Sequence, residues 1–286
     1  MQQLLKKLIF VILIFSLCAC STRPKNRGYI FDVRNRAETQ LDLGNKQADR
    51  GNPEAALLLL DEAFRLAVST DDPNLQIRSG LSRGNVLFFM GNETEARDCW
   101  ENALKEADRS GNRELSAVCR IHIARGNLVS RGKDAAQSVR DDVNRDLALI
   151  KSDRLYTAFA WLVMGLAEKE LGRYANAESA VKHSLEIHEK DLYFELAAYD
   201  WFLIASFRSH AGNYNTARQA LENAINFDRR VENSWGLASD WRVLGDVHKK
   251  AGDTEAAKTA WIRAAAIYRS LGNNEDAEET LSKVQF

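Results

Sequence analysis

The stretch that decides the fold runs from Trp241 to Ala264 and reads WRVLGDVHKKAGDTEAAKTAWIRA. Its pattern of tryptophan, leucine, glycine and alanine returns along the chain at a spacing of about 40 residues, most clearly at Trp201 and Trp161. A fixed period of this size indicates stacked supersecondary units, each of which packs only against its neighbours. The sequence therefore predicts a solenoid rather than one large globular core.

Glycines divide the helical periodicity at regular intervals, as in Gly212-Asn213 and Gly252-Asp253. Because glycine readily takes the left-handed conformation that ends a helix, each such glycine predicts the turn of a helical hairpin. Gly126 and Gly132 stand six residues apart instead of seven, so we expect a local change of superhelical pitch in the third repeat. The predicted helices span 34–50, 53–69, 74–90, 93–109, 113–130, 133–150, 153–170, 174–189, 192–210, 214–229, 233–250, 254–270 and 274–284.

The repeated pattern of Trp-x2-Leu-Gly, a small residue, and Ala-x3-aromatic resembles the tetratricopeptide repeat (TPR). The resemblance covers residues 34–286 and implies an all-α, right-handed α-solenoid of about six TPR-like helical hairpins with a C-terminal capping helix. The usual repeat of that family has 34 residues and a proline near its end. Here the period is about 40 residues and that proline is missing, which implies longer second helices.

The N-terminus carries a second signal. Lys6 and Lys7 precede an apolar run over residues 8–19 that is too short to span a bilayer but suits the core of a signal peptide. The run ends in Leu-Cys-Ala-Cys at 17–20, which resembles the lipobox of bacterial lipoproteins. That resemblance implies a signal peptide over 1–19 and lipidation of Cys20, and residues 20–33 read as a flexible tether.

Two alternatives remain for this N-terminus, namely an ordinary secretory signal or an uncleaved anchor. Ser21, rather than Asp, follows the cysteine, and in lipoproteins this favours delivery to the outer membrane, facing the periplasm. In an oxidising compartment Cys99 and Cys119 are able to form a disulfide, although both also suit buried free thiols. The sequence leaves that choice open.

Composition and motifs exclude several classes of function. The formal net charge is -1, whereas nucleic-acid binding needs a dense cationic face. The sequence contains no HExxH motif, no Gly-x-Ser-x-Gly elbow and no phosphate-binding glycine loop. We therefore expect no enzyme, no metal site, no cofactor and no nucleic-acid partner.

The first helix of each hairpin lines the concave face in the family, so its polar residues are candidates for binding. Asn45, Asn85 and Asn127 each follow a repeat glycine. Because an asparagine amide both donates and accepts, a ladder of three is suited to the backbone of an extended peptide. Asparagine is also common at this position in the family, which is the alternative explanation.

A second similarity surrounds these asparagines. The segment Arg78-x2-Leu-x-Arg83-Gly-Asn returns as Arg120-x2-Ile-x-Arg125-Gly-Asn. Four arginines suit an acidic segment or a terminal carboxylate, since guanidinium pairs bidentately with carboxylate. Structural ion pairs, for example with Glu114 or Asp108, are the alternative. The lysine of the family's chaperone-tail clamp is replaced here by Leu41, so that function is not supported.

Farther along, the concave positions become apolar, with Phe159, Leu162, Tyr199 and Phe202. Such a surface suits the apolar face of a partner helix. The sequence thus predicts a lipid-anchored periplasmic scaffold that binds a protein or peptide in its concave groove, in cell-envelope assembly or transport. The alternative is a carrier that holds a small hydrophobic ligand or lipid in an apolar pocket.

Overall fold

The computed structural model describes residues 32–285, which form thirteen α-helices and a short final 3₁₀ turn. Helices α1 to α12 pair as six consecutive antiparallel hairpins, and α13 packs on the last of them. The helices are α1 (Asp32–Asp49), α2 (Pro53–Ser69), α3 (Pro73–Phe89), α4 (Glu93–Arg109), α5 (Arg113–Arg131), α6 (Lys133–Leu147), α7 (Arg154–Glu170), α8 (Tyr174–Lys190), α9 (Phe194–His210), α10 (Tyr214–Arg230), α11 (Ser234–Lys250), α12 (Thr254–Ser270) and α13 (Asn274–Ser282).

The predicted all-α solenoid of six hairpins and a terminal helix is confirmed. Each helix boundary lies within three residues of its predicted place, because glycine turns and polar caps mark the ends in the sequence. At the last hairpin, for example, Gly252 has a φ of 85° and the Asp253 side chain accepts from the backbone N–H of Ala256. The predicted signal peptide and most of the predicted tether lie outside the described residues.

Small residues let the two helices of a hairpin approach closely. A Cβ added to Gly165 in α7 would lie 2.6 Å from Cγ2 of Val181 in α8, and one added to Gly245 would overlap the indole of Trp261. Ala205 takes the same place in α9, where Leu221 is the facing side chain. A glycine or alanine in the first helix therefore lets one apolar side chain of the second helix, from valine to tryptophan in size, pack against its backbone.

The third hairpin departs from the others, as the six-residue glycine spacing suggested. Helix α6 has only 15 residues and ends at Leu147, so a loop over 148–153 precedes α7. The Glu114 carboxylate holds this loop by accepting from the backbone N–H groups of Lys151, Ser152 and Asp153. The predicted change of superhelical pitch at this hairpin stays a prediction.

The solenoid curves far enough to bring its first and sixth hairpins together. A Cβ added to Gly51, in the turn between α1 and α2, would lie 3.2 Å from Nε1 of Trp235 in α11. A cavity of 460 Å³ next to this contact is lined by Lys46 and Asp49 on one side and by Glu195 and Trp235 on the other. The concave groove is therefore closed on one side by the chain's own N-terminal hairpin.

Cys99 and Cys119 are free thiols. Burial raises the pKa of the Cys119 thiol to about 12, which makes it a poor nucleophile. Within residues 32–285, no helix combines the length and the apolar character that crossing a membrane requires.

We predict that Gly245→Ala lowers the free energy of unfolding by about 1–3 kcal/mol, because the added methyl group overpacks the indole of Trp261. Urea unfolding of the purified protein measures this change. Trp261→Leu alone is also destabilising, since it leaves a void.

The double variant Gly245→Ala/Trp261→Leu recreates the Ala205–Leu221 pair of the preceding hairpin and provides the control. We expect it to be more stable than the sum of the two single changes predicts, by about 1 kcal/mol or more. Strict additivity would show that these two positions do not set the distance between the helices.

Candidate peptide-binding groove

Arg125 lies among the first helices of three successive hairpins. Its guanidinium carbon is 4.9 Å from the ring centre of Phe88 in α3 and 5.4 Å from that of Phe159 in α7. The ring of Trp100 in α4 is 5.6 Å away. Aromatic faces attract a cation most strongly where water is excluded. The three rings therefore fix the guanidinium in the groove without neutralising its charge.

No carboxylate of the described residues forms a salt bridge with Arg125. Its Nη2 donates to Oδ1 of Asn85 at 3.2 Å, whereas its Nε is buried and has no hydrogen-bond partner. Burial lowers the pKa of Arg125 to about 10, so the side chain still carries its charge at neutral pH. A charged guanidinium with a spare donor is suited to an incoming carboxylate.

The other three arginines of the repeated motif serve the structure. Arg120 binds Asp146 through two hydrogen bonds of 2.9 Å, and Asp146 is buried. Arg83 pairs with Asp61. Burial raises the pKa of the Tyr156 hydroxyl to about 12. The charge of Arg78 and its hydrogen bond to this hydroxyl partly offset the rise.

Structural ion pairing, the alternative left open by the sequence, thus applies to Arg120 and Arg83, but with different partners from those expected. Glu114 binds the loop before α7, and the carboxylate of Asp108 accepts from the hydroxyl of Ser116. A single sequence could not identify Asp61 and Asp146, because they lie on other helices.

Two of the three predicted asparagines share a cavity. Asn45 and Asn85 line a space of 250 Å³ together with Ser82 and Phe89. The Oδ1 atom of Asn127 instead accepts from Nη2 of Arg97 at 2.7 Å. The structure therefore places Asn45 and Asn85 at one cavity, with Oδ1 of Asn85 already accepting from Arg125, while Asn127 holds a neighbouring helix.

Of the four predicted apolar residues, two line a cavity and two are packed against other side chains. The rings of Tyr199 and Phe202 stack with centroids 6.2 Å apart and line a second cavity, of 220 Å³. Phe159 stacks on the buried ring of His122 at 4.2 Å, and Leu162 is half-buried against the core. Tyr199 and Phe202 therefore face the groove most openly.

Tyr199 lines the second cavity and also lies close enough to Arg125 to be affected by its charge. Burial raises the pKa of its hydroxyl, and the nearby charge of Arg125 partly offsets this rise. Within the interior, desolvation and the charge of Arg125 lower the pKa of His122 well below its usual value. The groove accordingly presents the fixed positive charge of Arg125, with a neutral histidine beneath it.

Sequence reasoning missed most of the lining of the second cavity, including Asp228, Trp235 and Asp240. Each lies outside the arginine and asparagine motifs, and only the fold brings them to one place. Across residues 32–285, no group of three or more His, Cys, Asp or Glu side chains is arranged to hold a metal ion.

Comparison with known proteins agrees with this geometry. A sequence model of the tetratricopeptide repeat matches residues 160–191 and 258–285. The solenoid contains tetratricopeptide repeats. Repeats of this kind are typically non-catalytic scaffolds for protein–protein interaction. A search of curated proteins found no significant match to this chain.

Several solved structures share the fold at low sequence identity. A Rap protein complexed with competence and sporulation factor is 16% identical, with a TM-score of 0.62 over 87% of this chain and 74% of that one. BtubC from P. vanneervenii is 17% identical, with a TM-score of 0.57 over 82% and 92% of the two chains. PilW, a type IV pilus biogenesis factor, is 17% identical, with a TM-score of 0.53 over 86% and 98%. At these identities the similarity shows the fold alone.

We predict opposite stability effects for two arginines of α5. Arg120→Met should lower the free energy of unfolding by about 2–3 kcal/mol, because it removes the bidentate partner of the buried Asp146 carboxylate and leaves only the longer contacts of Arg145. Arg125→Met should leave it unchanged or raise it, since no countercharge is lost. Urea unfolding of both variants measures the difference, and a large loss of stability in Arg125→Met would contradict this description of the site.

Proposed function

We propose that this TPR protein is a lipid-anchored periplasmic adaptor that binds a protein or peptide segment in its concave groove. Arg125 receives an acidic side chain or the terminal carboxylate of that segment. The proposal rests on the surroundings of Arg125. Aromatic rings enclose its guanidinium, no carboxylate of the described residues pairs with it, and its Nε has no hydrogen-bond partner.

A carboxylate at this position would form charge-assisted hydrogen bonds in surroundings with little water, where such bonds are strong. Asn45 and Asn85 line the adjoining cavity and supply amide groups for the backbone of the same segment. Tyr199 and Phe202 offer an apolar surface for its side chains. The groove therefore combines one charged contact with backbone and apolar contacts.

Membrane attachment rests on the sequence. The lipobox-like segment at 17–20 follows a signal-peptide-like run, and lipidation at Cys20 would anchor the protein because each buried methylene contributes about 0.8 kcal/mol. Residues 20–31 together with the start of α1 would then connect the lipid to the solenoid. In this proposal, the lipidated protein is delivered to the outer membrane and takes part in envelope assembly or transport.

The second candidate function, a carrier of a small hydrophobic ligand or lipid, is favoured by one observation. The contact of Gly51 with Trp235 closes one side of the groove, so the space inside resembles a chamber more than an open channel. Native mass spectrometry of the purified protein distinguishes the two functions. A co-purified small molecule supports the carrier, and its absence together with peptide capture supports the adaptor.

The adaptor function predicts that Arg125→Met abolishes capture of the partner in a crosslinking pull-down from native cells. Arg109→Met serves as the matched control, because Arg109 is exposed and pairs only with Glu106 on its own helix. We expect wild type and Arg109→Met to capture the same partner. Equal capture by Arg125→Met would rule out the arginine contact.

Membrane attachment predicts that Cys20→Ser abolishes incorporation of labelled palmitate and releases the protein from the membrane fraction. Cys18→Ser is the control, since it changes the neighbouring cysteine and leaves the acceptor thiol in place. Unchanged labelling of Cys20→Ser would show that the chain is anchored in another way or not lipidated.

A further inference from the structure

A second cavity, of 220 Å³, lies between α9 and α11. Tyr199 and Phe202 line it from α9, and Trp235 and Asp240 line it from α11. Asp228 reaches the same cavity from the last turn of α10. Its volume is far above the roughly 15 Å³ that a single water requires, so an organic group fits inside.

The cavity contains two buried carboxylates without a cation. Asp228 is 3% exposed and Asp240 is 2% exposed. Oδ1 of Asp228 accepts from Nδ2 of Asn233 at 2.9 Å, whereas Oδ2 of Asp240 has no hydrogen-bond partner. Burying carboxylates is costly unless a cation or several donors compensate them. The unpartnered oxygen of Asp240 is thus a position that a donor would fill.

Among residues 32–285, the other buried acids each have a basic side chain beside them. Asp146 pairs with Arg120, and Glu168 pairs with Arg140. Nδ1 of His188 lies 2.7 Å from Oδ2 of Asp200.

Asp228 and Asp240 follow His188 and Asp200 by 40 residues and occupy the equivalent places in the next hairpin. An acid therefore stands at position 228 where the preceding hairpin has a base. Gly236 leaves the space that this carboxylate takes, since an added Cβ would overlap Oδ2 of Asp228.

We infer that this cavity binds a primary ammonium group, held by Asp240 and Asp228 and enclosed by the rings of Tyr199 and Trp235. A primary ammonium has three donors, which match the free oxygen of Asp240 and the carboxylate of Asp228. Aromatic rings around it add cation–π attraction. A lysine side chain and the N-terminal amine of a peptide are the two sources of such a group.

Protonation of the pair is consistent with this ligand. Burial, the charge of Asp228 and a hydrogen bond to its carboxylate raise the pKa of Asp240 to about 9. Burial raises the pKa of Asp228 to about 6, and the hydrogen bonds from Asn233 and Asp240 partly offset this rise. At neutral pH the two carboxylates therefore hold one proton and one negative charge. That remaining charge attracts an ammonium ion.

The inference goes beyond the proposed adaptor function, because it concerns a separate cavity and a ligand of opposite charge. Tyr199 lies beside both Arg125 and this cavity. One bound segment can therefore place a carboxylate at Arg125 and an ammonium group at Asp240.

The test is an NMR titration of the tryptophan indole signals of the purified protein with two amines. Nα-acetyl-lysine N-methylamide presents only a side-chain ammonium, and norleucine N-methylamide presents only an α-ammonium. We expect a saturable shift with at least one of them, and the responding probe identifies the source. Nα-acetyl-norleucine N-methylamide has no charge and should give no saturable shift.

Two variants remove the site in different ways. Asp240→Asn removes one carboxylate with little change in shape, and Asp228→His recreates the base–acid pair of the preceding hairpin. We expect Asp228→His to weaken amine binding at least tenfold, because it removes the carboxylate that is ionised at neutral pH. Asp240→Asn should weaken it by a smaller factor, because it removes only one oxygen acceptor. In both variants the melting temperature should stay equal to or above that of wild type. Glu186→Gln, at an exposed position of α8, is the control and should bind as wild type does.

Binding should also weaken as the pH falls through about 6, because Asp228 then takes up a proton. The ionisable groups that face the pair are Glu195 on α9 and Tyr268 on α12, with Arg242 acting on Tyr268. Absence of a saturable shift with both amines, or unchanged affinity in both variants, would overturn the inference. Since no partner protein is added, this outcome is independent of the pull-down that tests Arg125.

Discussion

The close approach of the two helices in each hairpin is the constraint on which the rest of the structure depends. A small residue of the first helix meets one apolar side chain of the second, since Gly84 and Gly245 each meet a tryptophan and Gly165 meets Val181. This contact sets the distance within a hairpin, and stacked hairpins then curve because each repeats the same packing. The curvature brings the turn at Gly51 to Trp235 and produces an enclosed groove.

The groove obtains its chemical character from side chains that do not neutralise each other. Three of the four motif arginines are satisfied, whereas Arg125 is held by rings and an amide. In the cavity between α9 and α11, Asp228 and Asp240 stand where the preceding hairpin has a base and an acid. Elsewhere in the described residues, buried charges are compensated by ion pairs. Arg125 and the Asp228–Asp240 pair are the exceptions, and they therefore indicate places for a ligand.

Much of the fold could be predicted because its signals are local. Glycine turns, capping residues and the small positions that face Trp261 or Leu221 all recur in the sequence itself. The site was predicted only in part. Arg120 and Arg125 are indistinguishable in the motif, and only the position of Asp146 on another helix separates a structural arginine from a free one. Likewise, Asp228 and Asp240 are twelve residues apart, and their meeting depends on how α10 and α11 pack.

In the proposed function, a protein or peptide segment lies inside the groove. The most direct test of this proposal is photo-crosslinking in native cells, with benzoylphenylalanine in place of Phe89, which lines the cavity of Asn45 and Asn85, or in place of Leu58 on α2. These side chains are similarly exposed, at 76% and 74%. The account predicts that one specific protein is crosslinked from position 89 and not from position 58. Crosslinking from position 58 alone would place the partner on the outer helices and contradict it.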